Sequence, residues 1–207
     1  MTRGIFYLLL ALSLPVGSQA GLFVYGDSTA IGARTGIHRV WNAAPSIDSG
    51  RWWHLLGKEM NPPRIVFNHG KGGQGVRELS ESILPVSLPD AVVIIYDRRN
   101  SGETPQEYLG FLEQAIAILG TSRFLIMPQV PQSESFPEEP HQALAMAEID
   151  RQVAMRWPDN VFSPTERLDF LSRLAPDDTR HDGLHRNDKG HRIEASVIGE
   201  WLRTRGW

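Results

Sequence analysis

The chain has 207 residues, enough for one sizeable hydrophobic core and short for several domains. A formal net charge of −3, with 22% charged residues, excludes a broad basic face for nucleic acid. The absence of cysteine excludes a disulfide scaffold, a thiolate nucleophile and a lipid anchor on cysteine.

At the N-terminus, Arg3 precedes the apolar run IFYLLLALSLPV, and GSQA follows with small residues at Ser18 and Ala20. A positive start, a short apolar core and a small-residue end are the pattern of a secretory signal over residues 1–20, cut after Ala20. The run holds roughly 12 residues, against the ~20 that a membrane-crossing helix needs. The expectation is an extracytoplasmic protein, periplasmic or secreted. A single domain would cover 21–207, with no stable membrane anchor once the signal is removed.

Along the rest of the chain, apolar runs of strand length recur: LFVY (22–25), RIVFN (64–68), AVVIIY (91–96), RFLIMP (123–128) and a weaker NVFS (160–163). Such unbroken runs suit strands buried on both faces. Helical spacing lies between them, over 49–60, 75–84, 104–119, 139–157 and 187–205. The third helix opens with Thr104, Pro105 and Glu107, a capping box with proline at the first helical position. The last opens on Asn187 with Asp188 in its first turn. Alternating strands and helices predict an α/β fold: a parallel sheet with helices on both faces. Functional residues of such sheets lie beyond the carboxyl ends of the strands.

Three strand ends carry chemistry. The first strand runs into Gly26-Asp27-Ser28, which is either a polar turn or the mount of a nucleophile. A serine there can point out of the sheet and also open the next helix, where backbone N–H groups favour developing negative charge. After the second strand comes NHGKGGQG (68–75), whose glycines let backbone approach a ligand closely. After the third comes DRRNSGETP (97–105), with Asn100 as a possible donor. A serine needs a base, and the base needs an orienting group. The segment DDTRHDGLHRNDKGHR supplies them: Asp182 stands three residues before His185, across a Gly-Leu turn, so its carboxylate can fold back onto Nδ1–H and leave Nε2 free for Ser28. His191 falls inside the last helix as a surface or packing residue. His181 lacks an acid at matching distance, and Asp177 and Asp178 read as a solvated loop.

These blocks carry a resemblance. The chain resembles the SGNH (GDSL-type) hydrolases, named for a serine, glycine, asparagine and histidine in separate blocks. YGDST resembles the first block, NHGKGG the second, RRNS stands in place of the third, and DGLH resembles the last. The four run in the family's order from Gly26 to His185. The resemblance implies a three-layer α/β/α sandwich around a parallel sheet of about five strands, ordered 2-1-3-4-5. It implies Ser28 as nucleophile, His185 as base and Asp182 as its orienting acid. The oxyanion donors would be the backbone N–H groups of Ser28 and Gly73 and the side chain of Asn100, with no cofactor and no metal. The third block departs from the pattern, with Arg98 in place of glycine and Ser101 in place of aspartate. Arg98 and Arg99 then stand beside the site, where they either contact an anionic substrate or bridge to nearby acids.

Other readings are weaker. GKGGQG lacks the lysine-serine/threonine ending of a P-loop and does not follow the first strand, as a dinucleotide fingerprint should. His181, Asp182 and His185 could approach a metal, but no HExxH motif or cysteine pair accompanies them. Trp52 and Trp53 open an amphipathic helix, with one of them expected in the core. Trp41, in the polar HRVWNAAPS, is a candidate to line a substrate cleft. The expected function is extracytoplasmic serine ester hydrolysis through an acyl-enzyme, with a small-molecule or polysaccharide ester as substrate. A short acyl group on a carbohydrate is favoured, because no long apolar loop is present to cover a fatty chain. The alternatives are a lipid ester or thioester hydrolase, or a sugar-binding module that kept the fold and lost turnover.

Overall fold

A computed structural model describes residues 21–32, 50–85, 91–97, 102–132, 139–180 and 182–207. The signal segment 1–20, Trp41, the third-block residues Arg98, Arg99, Asn100 and Ser101, and His181 lie outside the described residues.

Four parallel strands form one sheet in the order β2-β1-β3-β4: β1 (Leu22–Gly26), β2 (Val66–Asn68), β3 (Val92–Tyr96) and β4 (Phe124–Ile126). Every residue of the central β3 is buried, as its unbroken apolar run requires. Alternation along each strand divides the core into two. Leu22, Val24, Val92, Ile94 and Leu125 face Trp52 and Leu56 of α2 (Trp52–Glu59), Phe170 of α6 (Pro164–Leu174) and Ile198 and Leu202 of α7 (Asp188–Thr204). Tyr25, Val93, Ile95 and Phe124 face Val76 and Leu79 of α3 (Val76–Ser82), Tyr108 and Leu112 of α4 (Pro105–Leu119) and Ile149 and Val153 of α5 (Pro140–Arg156). The result is the expected three-layer sandwich. Each fully buried aliphatic side chain contributes about 1.5–3 kcal/mol. The helix caps form as read: Thr104 and Glu107 make the capping box of α4, and the Asn187 side chain accepts from the backbone of Lys189 and Gly190.

Two expectations are corrected. The described sheet has four strands rather than five, because NVFS is not a strand. Pro158–Asn160 form a 3₁₀ turn, and the Asn160 side chain donates to the Ser122 and Phe124 carbonyls beside β4. Ser163 then caps α6, a helix absent from the sequence reading, with Pro164 at its first position and Glu166 closing a capping box. The second run is also not buried on both faces. β2 is an edge strand, and Phe67 with the adjoining Ile65 is exposed.

Candidate active site

Where β1 ends, the backbone must pass against β3. Gly26 adopts φ +137°, and a Cβ there would stand 1.9 Å from the Tyr96 carbonyl oxygen, so only glycine fits. Asp27, fully buried, then caps α1 (Ser28–Ile31): its Oδ1 accepts from the Thr29 backbone N–H at 2.7 Å and also from the Thr29 hydroxyl. Ser28 is thereby fixed as the first residue of a four-residue helix at the carboxyl edge of the sheet.

Such a short helix has no stability of its own, and its last carbonyls need donors from elsewhere. Three side chains provide them. Trp52 Nε1 donates to the Thr29 oxygen at 2.9 Å, Trp53 Nε1 to that of Ile31 at 2.9 Å, and Asn68 Nδ2 to that of Ala30 at 2.8 Å. Both tryptophans are buried, rather than one, because both hold the helix that carries Ser28. That double role was not legible in an amphipathic pattern.

The glycine-rich loop runs alongside the same turn. The backbone of His69 donates to the Val24 oxygen and that of Lys71 to the Gly26 oxygen, each at 2.8 Å. A Cβ on Gly70 would sit 3.0 Å from both the Ala30 Cβ and the Ile31 nitrogen, so close approach here demands glycine. Gly73 turns the outer part of the loop at φ +73°, with open space beside its Cα.

His185 arrives from the other end of the chain. Arg180 and Arg186 form an isolated antiparallel bridge that pinches off the loop carrying DGLH. Gly183 turns that loop at φ +79°. Asp182 Oδ1 accepts from the backbone N–H groups of Leu184 and His185 at 3.0 and 2.7 Å, while its Oδ2 meets His185 Nδ1 at 2.8 Å. A carboxylate only accepts, so Nδ1 carries a proton and Nε2 of the neutral ring is an acceptor. That Nε2 lies 3.1 Å from Ser28 Oγ, across 157 residues of sequence. Partial burial pushes Asp182 up, but hydrogen bonds from the His185 ring and backbone and from Leu184 outweigh it, leaving the carboxyl at about 2. Asp182 is therefore ionised throughout the neutral range. The His185 side chain is 12% exposed, sheltered enough to strengthen its hydrogen bonds and open enough to meet a ligand.

Two buried polar groups flank this line of three. On one side Tyr96, Arg186, Glu194 and His191 are all nearly inaccessible. His191 is thus internal, a packing residue rather than a surface one, with Nδ1 3.5 Å from Glu194 Oε2. The signal for Glu194 lay in α7, where it falls on the same stripe as Ile198, Trp201 and Leu202. On the other side Asp97, one residue past β3, is 2% exposed, and its carboxylate has no hydrogen-bond partner among the described residues. Burial, then the nearby Asp27, Glu103 and Glu78 carboxyls, push it well above the usual carboxylate range. Among the described residues no group of His, Asp or Glu is arranged to hold a metal ion, and no helix is long and apolar enough to cross a membrane.

No protein-family model matches the sequence, and no curated protein matches it significantly. Solved structures do match. The lipase/acylhydrolase from Enterococcus faecalis superposes with a TM-score of 0.66 at 14% identity, over 90% of this chain and 97% of that one. A member of the lipolytic protein G-D-S-L family from Veillonella parvula gives 0.62 at 16% identity, over 88% and 97%. This chain has the G-D-S-L hydrolase fold. A third neighbour, a mutant of an acetyl-xylooligosaccharide esterase from Geobacillus, gives 0.61 at 16% identity, over 94% and 97%. On this G-D-S-L fold YGDST occupies the turn after β1, NHGKGG the loop after β2, and DGLH the loop before α7. The first and last meet through the Ser28–His185 contact.

Proposed function

We propose that the protein is a serine ester hydrolase acting through an acyl-enzyme. One observation carries the reading: Ser28 Oγ, His185 and Asp182 form a continuous hydrogen-bonded line at the carboxyl edge of a parallel sheet, with gaps of 3.1 and 2.8 Å. His185 Nε2 removes the Ser28 proton as Oγ attacks the ester carbonyl, and the ionised Asp182 stabilises the resulting imidazolium. His185 then gives its proton to the departing alkoxide, leaving the acyl group on Ser28. In the second half a water gives one proton to His185 and attacks the acyl carbon, and His185 returns that proton to Ser28 Oγ as the carboxylic acid leaves. The proposed oxyanion donors are the backbone N–H groups of Ser28 and Gly73 and the Asn100 side chain, each worth about 3 kcal/mol in such sites.

The proposed substrate is a short acyl, chiefly acetyl, ester of a carbohydrate, met outside the cytoplasm after removal of residues 1–20. The Geobacillus neighbour, an acetyl-xylooligosaccharide esterase, favours that class. Arg98 and Trp41 are the proposed contacts for the substrate beyond its acyl group. Release of p-nitrophenol from acetate and octanoate esters tests the reading. Turnover of acetate above octanoate, abolished in Ser28→Ala, supports it. Preference for octanoate would place the protein among lipid hydrolases, and no turnover of either would make it a binding module.

A further inference from the structure

Behind the Ser28–His185 contact lies a buried ion pair that ester hydrolysis as described does not use. Glu194 of α7 is 1% exposed, and Arg186, the residue after His185, is 3% exposed. A single oxygen, Glu194 Oε1, accepts from the Tyr96 hydroxyl at 2.7 Å and from Arg186 Nε at 3.0 Å. The other, Oε2, stands 3.5 Å from His191 Nδ1. Burial alone would neutralise this carboxyl; His191 and Arg186 hold it below the usual range instead. Burial likewise works against the Arg186 charge, and Glu194 more than compensates. The interior therefore holds a true ion pair.

What the pair joins matters more than its charge. Tyr96 ends β3 in register with Gly26, and its carbonyl accepts from the Asp27 backbone at 3.3 Å. Its ring also meets Trp52 edge-on at 5.8 Å, and Trp52 holds α1. Tyr96 is thus fixed to the turn that carries Ser28. Arg186 is fixed to the loop that carries His185, through its bridge to Arg180. His191 Cε1 reaches α1 as well, 3.3 Å from where a Cβ on its capping Gly32 would stand. Through Oε1, Glu194 touches both halves at once.

We propose that Glu194 is a positioning residue: by holding Tyr96 and Arg186 on one oxygen, it sets the distance between Ser28 Oγ and His185 Nε2. The inference rests on the ester-hydrolase reading. Direct proton transfer needs a separation of about 2.6–3.2 Å, and the observed 3.1 Å lies near the upper end. Drift of the His185 loop by about 1 Å would cost up to ~10²-fold in rate. A group that served packing alone would alter the melting temperature and leave kcat per folded molecule unchanged.

Two variants separate these roles. Glu194→Gln keeps the shape and one accepting oxygen but strips Arg186 of its counter-charge. Tyr96→Phe removes a single hydroxyl and keeps the ring against Trp52. Both are compared with wild type for kcat and KM on p-nitrophenyl acetate, and for the rate at which a fluorophosphonate probe labels Ser28. Circular dichroism sets a temperature at which each is folded. Glu194→Gln should lower kcat by about tenfold to hundredfold with KM within about twofold, and labelling should slow by the same factor. Tyr96→Phe should cost about three- to tenfold, and the double variant no more than Glu194→Gln alone. Values of kcat and labelling rate within about twofold of wild type in both single variants would overturn the positioning role. Should Glu194→Gln fail to fold, Tyr96→Phe decides by the same thresholds. A wild-type chain that neither turns over nor labels would overturn the ester-hydrolase reading, and this inference with it.

Discussion

The two sides of the Ser28 turn handle buried charge in opposite ways. Towards α7, Glu194 is ringed by the Tyr96 hydroxyl, the Arg186 guanidinium and the His191 ring, and it stays ionised without access to water. Towards α4, Asp97 accepts no hydrogen bond at its carboxylate from the described residues, and burial, then the nearby Asp27 and Glu103, drive it towards its neutral form. Only its backbone oxygen is used, by the Tyr108 hydroxyl at 3.3 Å and Gln129 Nε2 at 3.0 Å. One acid follows Tyr96 in the chain, the other accepts from its hydroxyl, and both are almost wholly buried, so depth of burial does not separate them. Local partners do: a carboxylate keeps its charge in the interior only where cations and donors offset the loss of water.

The largest expected effect comes from breaking the paired side. Glu194→Ala leaves Arg186 buried without a counter-charge, and urea unfolding should show a loss of about 3–5 kcal/mol. A loss below about 1 kcal/mol would mean that the pair is dispensable to folding. Next is the link between that side and α1. Trp52→Phe removes one of two donors to the Thr29 carbonyl, the Gly32 backbone N–H at 3.0 Å remaining, and should cost about 0.5–1.5 kcal/mol, measured in the same way.

The unpaired side should respond in the opposite direction. Asp97→Asn has the shape of the protonated acid and no charge to desolvate, so the variant should be more stable than wild type by about 1 kcal/mol or more near pH 8. The sign follows from linkage. A carboxyl whose folded pKa is raised holds its proton more tightly in the folded state. The stability this gives is fully present below the unfolded pKa and is lost as pH rises through the folded value. Melting temperatures from pH 4 to pH 9 should therefore fall more steeply for wild type than for Asp97→Asn, the two converging at the acidic end. Parallel curves would mean that Asp97 is ionised and partnered. The smallest effect concerns Asp182, held at about 2 and therefore favouring the fold above the unfolded carboxylate range. That contribution is lost only as pH falls towards 2, and because the group is partly exposed, Asp182→Asn should change the melting temperature little while greatly lowering kcat.

Much of this was legible in the sequence, for local reasons. Unbroken apolar runs marked all four strands, and the Thr104 and Asn187 caps marked two helix starts, because each signal is contained in a few neighbouring residues. The Asp182–His185 hydrogen bond is equally local, a turn of three residues. The fifth strand failed because four residues of NVFS carry too little pattern to outweigh Pro158 and Pro164 on either side. Long-range partners were invisible for a different reason. Nothing near Tyr96 in the sequence announces Glu194, 98 residues away, and nothing in an amphipathic pattern shows that two tryptophan N–H groups would hold the Ser28 helix.

The central claim, that Ser28 is a nucleophile activated by His185, is tested most directly by covalent labelling. Purified protein is treated with a fluorophosphonate probe at neutral pH, digested and mapped by mass spectrometry. A single adduct is expected on Ser28, absent in Ser28→Ala and slowed at least about 10³-fold in His185→Ala. Labelling at another serine, or on Ser28 at an unchanged rate in His185→Ala, would contradict it.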